Sequence, residues 1–141
     1  MSVQAIFAPI FVLAVLTLVL MFWMGHLRVG AIRRGETRIR DIALGEPNWS
    51  TRPTQAANAF DNQFQLPVLF YVLVLIAHLT KLADFLFVIL AWLFVATRLI
   101  HAVIHVTSNR VSQRFFAYLV GAIVLLIMWV MVAVRLYIFA L

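Results

Sequence analysis

Cysteine is absent from this 141-residue chain, which excludes a disulfide framework, a thiolate nucleophile on the protein and any thiol-ligated metal. Charge is nearly as scarce. Charged residues make up 11% of the sequence, and 5 of them are acids, so no paired carboxylates are available for hydrolytic acid–base work. Neither a Gly-rich phosphate loop nor a Ser-His-Asp arrangement occurs. Those absences set aside the familiar hydrolases and nucleotide-binding folds.

What fills the chain instead is apolar sequence. Hydrophobic residues account for 65% and the mean hydropathy is +1.05, far outside the range of soluble domains. Crossing a hydrocarbon core of roughly 30 Å takes about 20 residues. Four apolar runs of that length occur, near residues 4–27, 54–79, 85–106 and 115–141. They predict an all-α, multi-pass integral membrane protein, a single four-helix domain over residues 1–141. The N-terminal run lacks the basic segment and small-residue cleavage site of a signal peptide and is long enough to span, so it is expected to be a retained helix.

Residues 29–53 form the one sizeable polar loop. Thr54 is a candidate cap for the second span, and Pro67 predicts a kink near Gln63 within it, beside a cluster of amides. Ser112 is a candidate cap for the fourth. The formal net charge of +6 does not point to nucleic acid, because the basic residues are not interleaved with exposed aromatics. Arg28, Arg33, Arg34, Arg38, Arg40, Arg52, Arg110 and Arg114 flank loops one and three, whereas the opposite side has Lys81 and Arg135. The positive-inside rule then puts loops one and three in the cytoplasm and both termini outside.

One stretch conflicts with a purely lipid-soluble reading. Arg98, His101 and His105 sit at i, i+3 and i+7 in the third span, one face of a helix. Ionisable groups at membrane depth are costly and mark a functional site by default. Asn58, Asn62 and Gln65 share a comparable face at the start of the second span. Arg28 ends the first span, and Arg114 opens the fourth on the same side. Guanidiniums, amides and imidazoles with Asp61 as the one nearby acid invite an anionic, peptide-like ligand, helped by the positive N-terminal ends of the second and fourth helices. Two histidines beside an arginine make a poor metal site, and no metal is expected.

These residues resemble the MAPEG family, the small membrane proteins of eicosanoid and glutathione metabolism. The second span carries Asn62, Gln65, Pro67 and Phe70 at the spacing of the family's Asn, Glu, Pro and aromatic. Gly25 and Arg28 match the end of its first helix, and Arg98, His101, His105 and Arg114 match its third-helix pattern and the arginine beyond it. Gln65 stands where the family usually has Glu, His105 where it has Tyr, Phe115 where some members have Ser, and Asn58 where Arg is common. The resemblance implies a homotrimer, of the bacterial inner-membrane type, with glutathione bound near the cytoplasmic face between subunits. Arg28, Asn58, Asn62, Gln65, His101 and His105 would then bind the cofactor, and Arg114 with Arg98 would carry catalysis.

Two functions of different class follow. One is a glutathione transferase or peroxidase, in which Arg114 and Arg98 stabilise a glutathione thiolate that attacks a small lipophilic substrate arriving from the bilayer. The other is a non-catalytic membrane protein that binds a lipid or fatty-acid carboxylate in the same cationic pocket. A transporter is disfavoured, since no inverted repeat is visible.

Overall fold

The computed structural model describes residues 1–138 and is all-helical among them. Helix α1 spans Val3–Arg33, α2 Thr51–Asp61, α3 Leu66–Leu79, α4 Phe85–Val106 and α5 Val111–Tyr137, with short 3₁₀ turns at Ile39–Asp41 and Asn62–Phe64. The segments 3–33, 51–79, 85–106 and 111–137 are each long and apolar enough to cross a membrane. They make the chain a multi-pass membrane protein.

Helix α1 runs through Gly25, His26 and Arg28 rather than ending there. Its stop is Gly35, whose φ of +72° only glycine adopts without cost. The Gly35 N–H donates to Ile32 O and the Glu36 N–H to Ala31 O, the paired bonds of a Schellman ending. At 31 residues and about 1.5 Å each, the helix outruns the hydrocarbon and carries Arg28 and Arg33 to headgroup level. The polar loop beyond it is tied at both ends through Glu36. This carboxylate accepts from Arg34 Nε at 2.6 Å and from Ser50 Oγ at 3.0 Å, and these two bonds hold it below the usual carboxylate range.

The second span is broken, not merely kinked. α2 ends at Asp61, a 3₁₀ turn follows, and α3 restarts with Pro67 in its first turn, where the missing N–H costs nothing. Gln63 Nε2 donates to Ala59 O at 3.1 Å near the end of α2, while Asn62 Nδ2 adds a second bond at 3.0 Å to Asn58 O, which already accepts from the Asn62 N–H. The expected cap Thr54 lies inside α2, which has Ser50 at its N-cap; Thr54 Oγ1 instead donates to Ser50 O at 2.9 Å.

α4 has the expected limits, because Asp84 caps it by accepting from the Phe87 N–H at 2.9 Å. α5 starts at Val111 rather than Phe115, and Ser112 falls inside its first turn with Arg110 at the N-cap. The charged and polar residues 111–114 extend the helix into the headgroup layer, so hydrophobicity understates its length. The expected last residues of this span, 139–141, lie outside the described residues.

Phe70 stacks on Phe94 at 4.7 Å in a core that also holds Leu13, Leu73, Phe87 and Met128, all fully buried. Faces carrying Phe11, Phe22, Trp92 and Leu126 stay exposed, as lipid-facing surfaces do. Because lipid is as apolar as a leucine core, close approach rather than burial from water holds such helices together. Gly121 provides it between α4 and α5: a Cβ there would lie 2.7 Å from Thr97 Oγ1. Where α4 starts and α5 ends, Arg135 Nη1 donates to Asp84 Oδ2 at 2.7 Å. Burial raises the Asp84 pKa, but the Phe87 N–H and Arg135 outweigh it and hold the carboxyl below its ordinary value.

Candidate functional site

The α4 stripe faces inward. Arg98 is 0% exposed, His101 3% and His105 2%. Arg98 Nη2 lies 3.4 Å from His101 Nδ1, while its Nε and Nη1, together with His105 Nδ1, have no protein partner among the described residues. The imidazoles of His101 and His105 stand edge to face at 5.5 Å. Buried donors without partners are rare and each is expensive. Their presence in one place marks a site rather than a packing accident.

Helix α5 answers with a stripe of its own. Arg114, Tyr118 and Gly121 follow one another at i, i+4 and i+7, and the two helices run antiparallel, so Gly121 meets Thr97 and Arg98 while Tyr118 meets His101 at 6.0 Å. The Arg98 guanidinium carbon lies 5.7 Å from the centroid of the Tyr118 ring, within cation–π range. Arg114 is steered from its own N-terminal loop: Nη1 donates to Asn109 Oδ1 at 2.6 Å. Asn109 has a φ of +49°, a left-handed conformation that asparagine tolerates better than most residues.

The broken second span closes the third side. Asn58, Asp61, Asn62 and Gln65 join His101, His105, Val111, Arg114, Phe115 and Tyr118 around a cavity of about 500 Å³, within the size range of ligand pockets. Helical spacing was expected to align Asn58, Asn62 and Gln65 on one face beside a kink; they share a wall of the cavity across a break. It also changes the electrostatics. The second span brings both the negative C-terminal end of α2 and the positive N-terminal end of α3 to the break, where they largely offset, and α5 supplies the unopposed positive helix end.

The remaining expected residues lie elsewhere. Arg98 stands behind His101 and Tyr118 rather than on the cavity wall. Arg28 sits over the Trp49 ring at 4.8 Å, with its buried Nε unpartnered among the described residues, and does not line the cavity. Conversely, sequence reasoning passed over Tyr118, Asn109 and Gln63. Tyr118 was detectable as the aromatic one turn after Arg114. Gln63 is 2% exposed, and its Oε1 lacks a partner. Among the described residues no three His, Asp or Glu side chains converge as a metal site would require.

The geometry is that of a polar cavity, with Arg114 and Asp61 as its charged residues and two imidazoles beside them, opening at the headgroup end of a membrane bundle. A model of the MAPEG family matches residues 6–134. No curated protein and no solved structure matches the chain. With nearly its whole length covered, the chain belongs to the MAPEG family, membrane proteins of glutathione and eicosanoid metabolism.

Proposed function

We propose that this MAPEG protein binds glutathione in the cavity between the α2–α3 break and the α4–α5 pair, and activates its thiol. The observation that supports this most is the meeting of Arg114 and the two histidines at a cavity backed by Arg98, a fully buried guanidinium with two free donor nitrogens. Guanidiniums bind carboxylates in a bidentate fashion, and the amides of Asn58, Asn62 and Gln65 match the peptide bonds of a tripeptide. Arg114 favours the thiolate over the thiol, and the sulfur lone pair then attacks an electrophilic carbon or a peroxide oxygen as the leaving group departs with the displaced electrons.

The electrophile reaches the site from the bilayer. A second cavity of about 660 Å³ lies on the other face of the α4–α5 pair, lined by Ile100, Ile104, Phe116, Ala117 and Val120 with Ser112 and Gln113 at its polar end. It is suited to a lipophilic molecule. In this reading the protein is a homotrimer, loops one and three face the cytoplasm, and a neighbouring subunit closes the cavity's open side and supplies Arg28.

Titration of the purified protein in detergent with glutathione tests the reading. A ligand that binds only the folded state raises stability by about 2.7 kcal/mol at a hundredfold excess over Kd, visible as a higher melting temperature, and turnover is expected with an electrophile or hydroperoxide panel. No shift at millimolar glutathione would overturn it. The same apolar cavity favours one alternative, a non-catalytic protein holding a fatty-acid carboxylate, and an acyl lipid found by mass spectrometry of the purified protein would support that instead.

A further inference from the structure

The cavity has two poles, and we infer that it selects an amphoteric ligand whose free ammonium is held by Asp61. This inference rests on the glutathione reading and deepens it by naming the group that decides which peptide-like anions are accepted.

Asp61 is the one acid on the cavity wall. Its carboxylate makes no ion pair or hydrogen bond to another side chain among the described residues, although Arg114 and two histidines share the cavity. It is also the last residue of α2. The partial negative charge of that helix end is offset by the positive N-terminal end of α3 across the 3₁₀ turn, so the preference for a cation rests on the carboxylate. Arg114 and His105 lie on the α4–α5 side, where α5 begins at Val111 and contributes the positive end of a 27-residue helix.

The side chains create this polarity: the formal charges on the wall are Arg114 on one side and Asp61 on the other, and the field runs across the cavity from the first toward the second. A ligand that carries only carboxylates satisfies Arg114 but faces Asp61 with like charge. One with an ammonium opposite its carboxylate satisfies both, which is discrimination by repulsion as much as by attraction.

The test compares glutathione with its deamino analogue, which lacks only the ammonium, by calorimetry on the wild-type protein, Asp61→Asn and Asp61→Glu. Wild type is expected to bind glutathione about tenfold more tightly than the deamino form, a difference typical of one charge-assisted contact. Asp61→Asn should lose that preference by weakening glutathione and sparing or improving the analogue, and Asp61→Glu should retain it. Melting curves without ligand identify any variant that fails to fold, in which case the preference of wild type and Asp61→Glu decides. Equal affinity for both ligands in wild type, or an unchanged preference in Asp61→Asn, overturns the role of Asp61 while leaving glutathione binding intact. If neither ligand binds wild type, the glutathione reading falls and this inference falls with it.

Discussion

The two ends of the bundle treat charge in opposite ways. Where α4 starts and α5 stops, Asp84 and Arg135 are half exposed and joined at 2.7 Å, and Asp84 also caps its helix. Where α4 stops and α5 starts, Arg98 is completely buried and two of its nitrogens have no protein partner. A charge that serves the fold is matched within the fold. One that the fold buries with only part of its nitrogens matched adds a desolvation cost that the fold itself carries. Evolution tolerates such a cost at functional sites and rarely elsewhere.

Four substitutions would break or sharpen that contrast. The largest effect is expected from Arg114→Ala, which removes the cation nearest the cavity mouth; glutathione-dependent turnover should fall by about a hundredfold or more, with little change in the ligand-free melting temperature. A comparable loss of stability with retained turnover would place Arg114 with the structural charges instead. Gly121→Ala comes next. Its new methyl meets Thr97 Oγ1, itself fixed by donation to Phe94 O at 2.6 Å, so overpacking should cost roughly 1–3 kcal/mol. Adding Thr97→Ala should restore most of the loss in a double-mutant cycle.

Arg98→Met should separate the two costs most directly. Glutathione affinity is expected to drop about tenfold, the worth of roughly 1.4 kcal/mol, while the melting temperature without ligand stays level or rises because an unmatched buried charge has gone. A fall in both would mean that Arg98 is matched in the free protein. Smallest is Asp84→Asn, expected to cost under about 1 kcal/mol for an exposed pair. Because the folded Asp84 pKa lies below its ordinary 3.8, the stabilisation is present above that pH and is lost as the pH falls through the lower folded value. Wild type should therefore lose stability on acidification below about pH 4 that Asp84→Asn does not; parallel melting curves over pH 2–6 would detect it.

Much of this contrast was legible in the chain. Asp84 before an apolar run and Thr107-Ser108-Asn109 after it fix α4, and an i, i+3, i+7 stripe of ionisable residues has no other reading than an inward face. Four spans and the concentration of arginines at one end were equally plain. The break in the second span was not, because Pro67 signals a weakened helix without saying whether neighbouring groups will rescue it. The 3₁₀ turn at Asn62–Phe64 and the restart of α3 at Leu66 make it two helices. Periodicity marks which residues share a face but not what the face meets. Tyr118 and Gly121 therefore draw no reading from the sequence and gain one only when α4 is set beside them. Helix ends were short by several residues wherever arginines continue a helix past the hydrocarbon, as at Arg33 and Val111.

The bond from Arg114 to Asn109 has a consequence for how a ligand is received. An arginine side chain carries about 2 kcal/mol of rotamer entropy, and here the chain's own loop, five residues away, removes much of it before any ligand arrives. Ordering is thus charged to folding rather than to association, and the guanidinium meets an anion already aimed. Asn109→Ala would leave every charge in place yet make the entropy of binding less favourable, a change that calorimetry reads separately from the enthalpy.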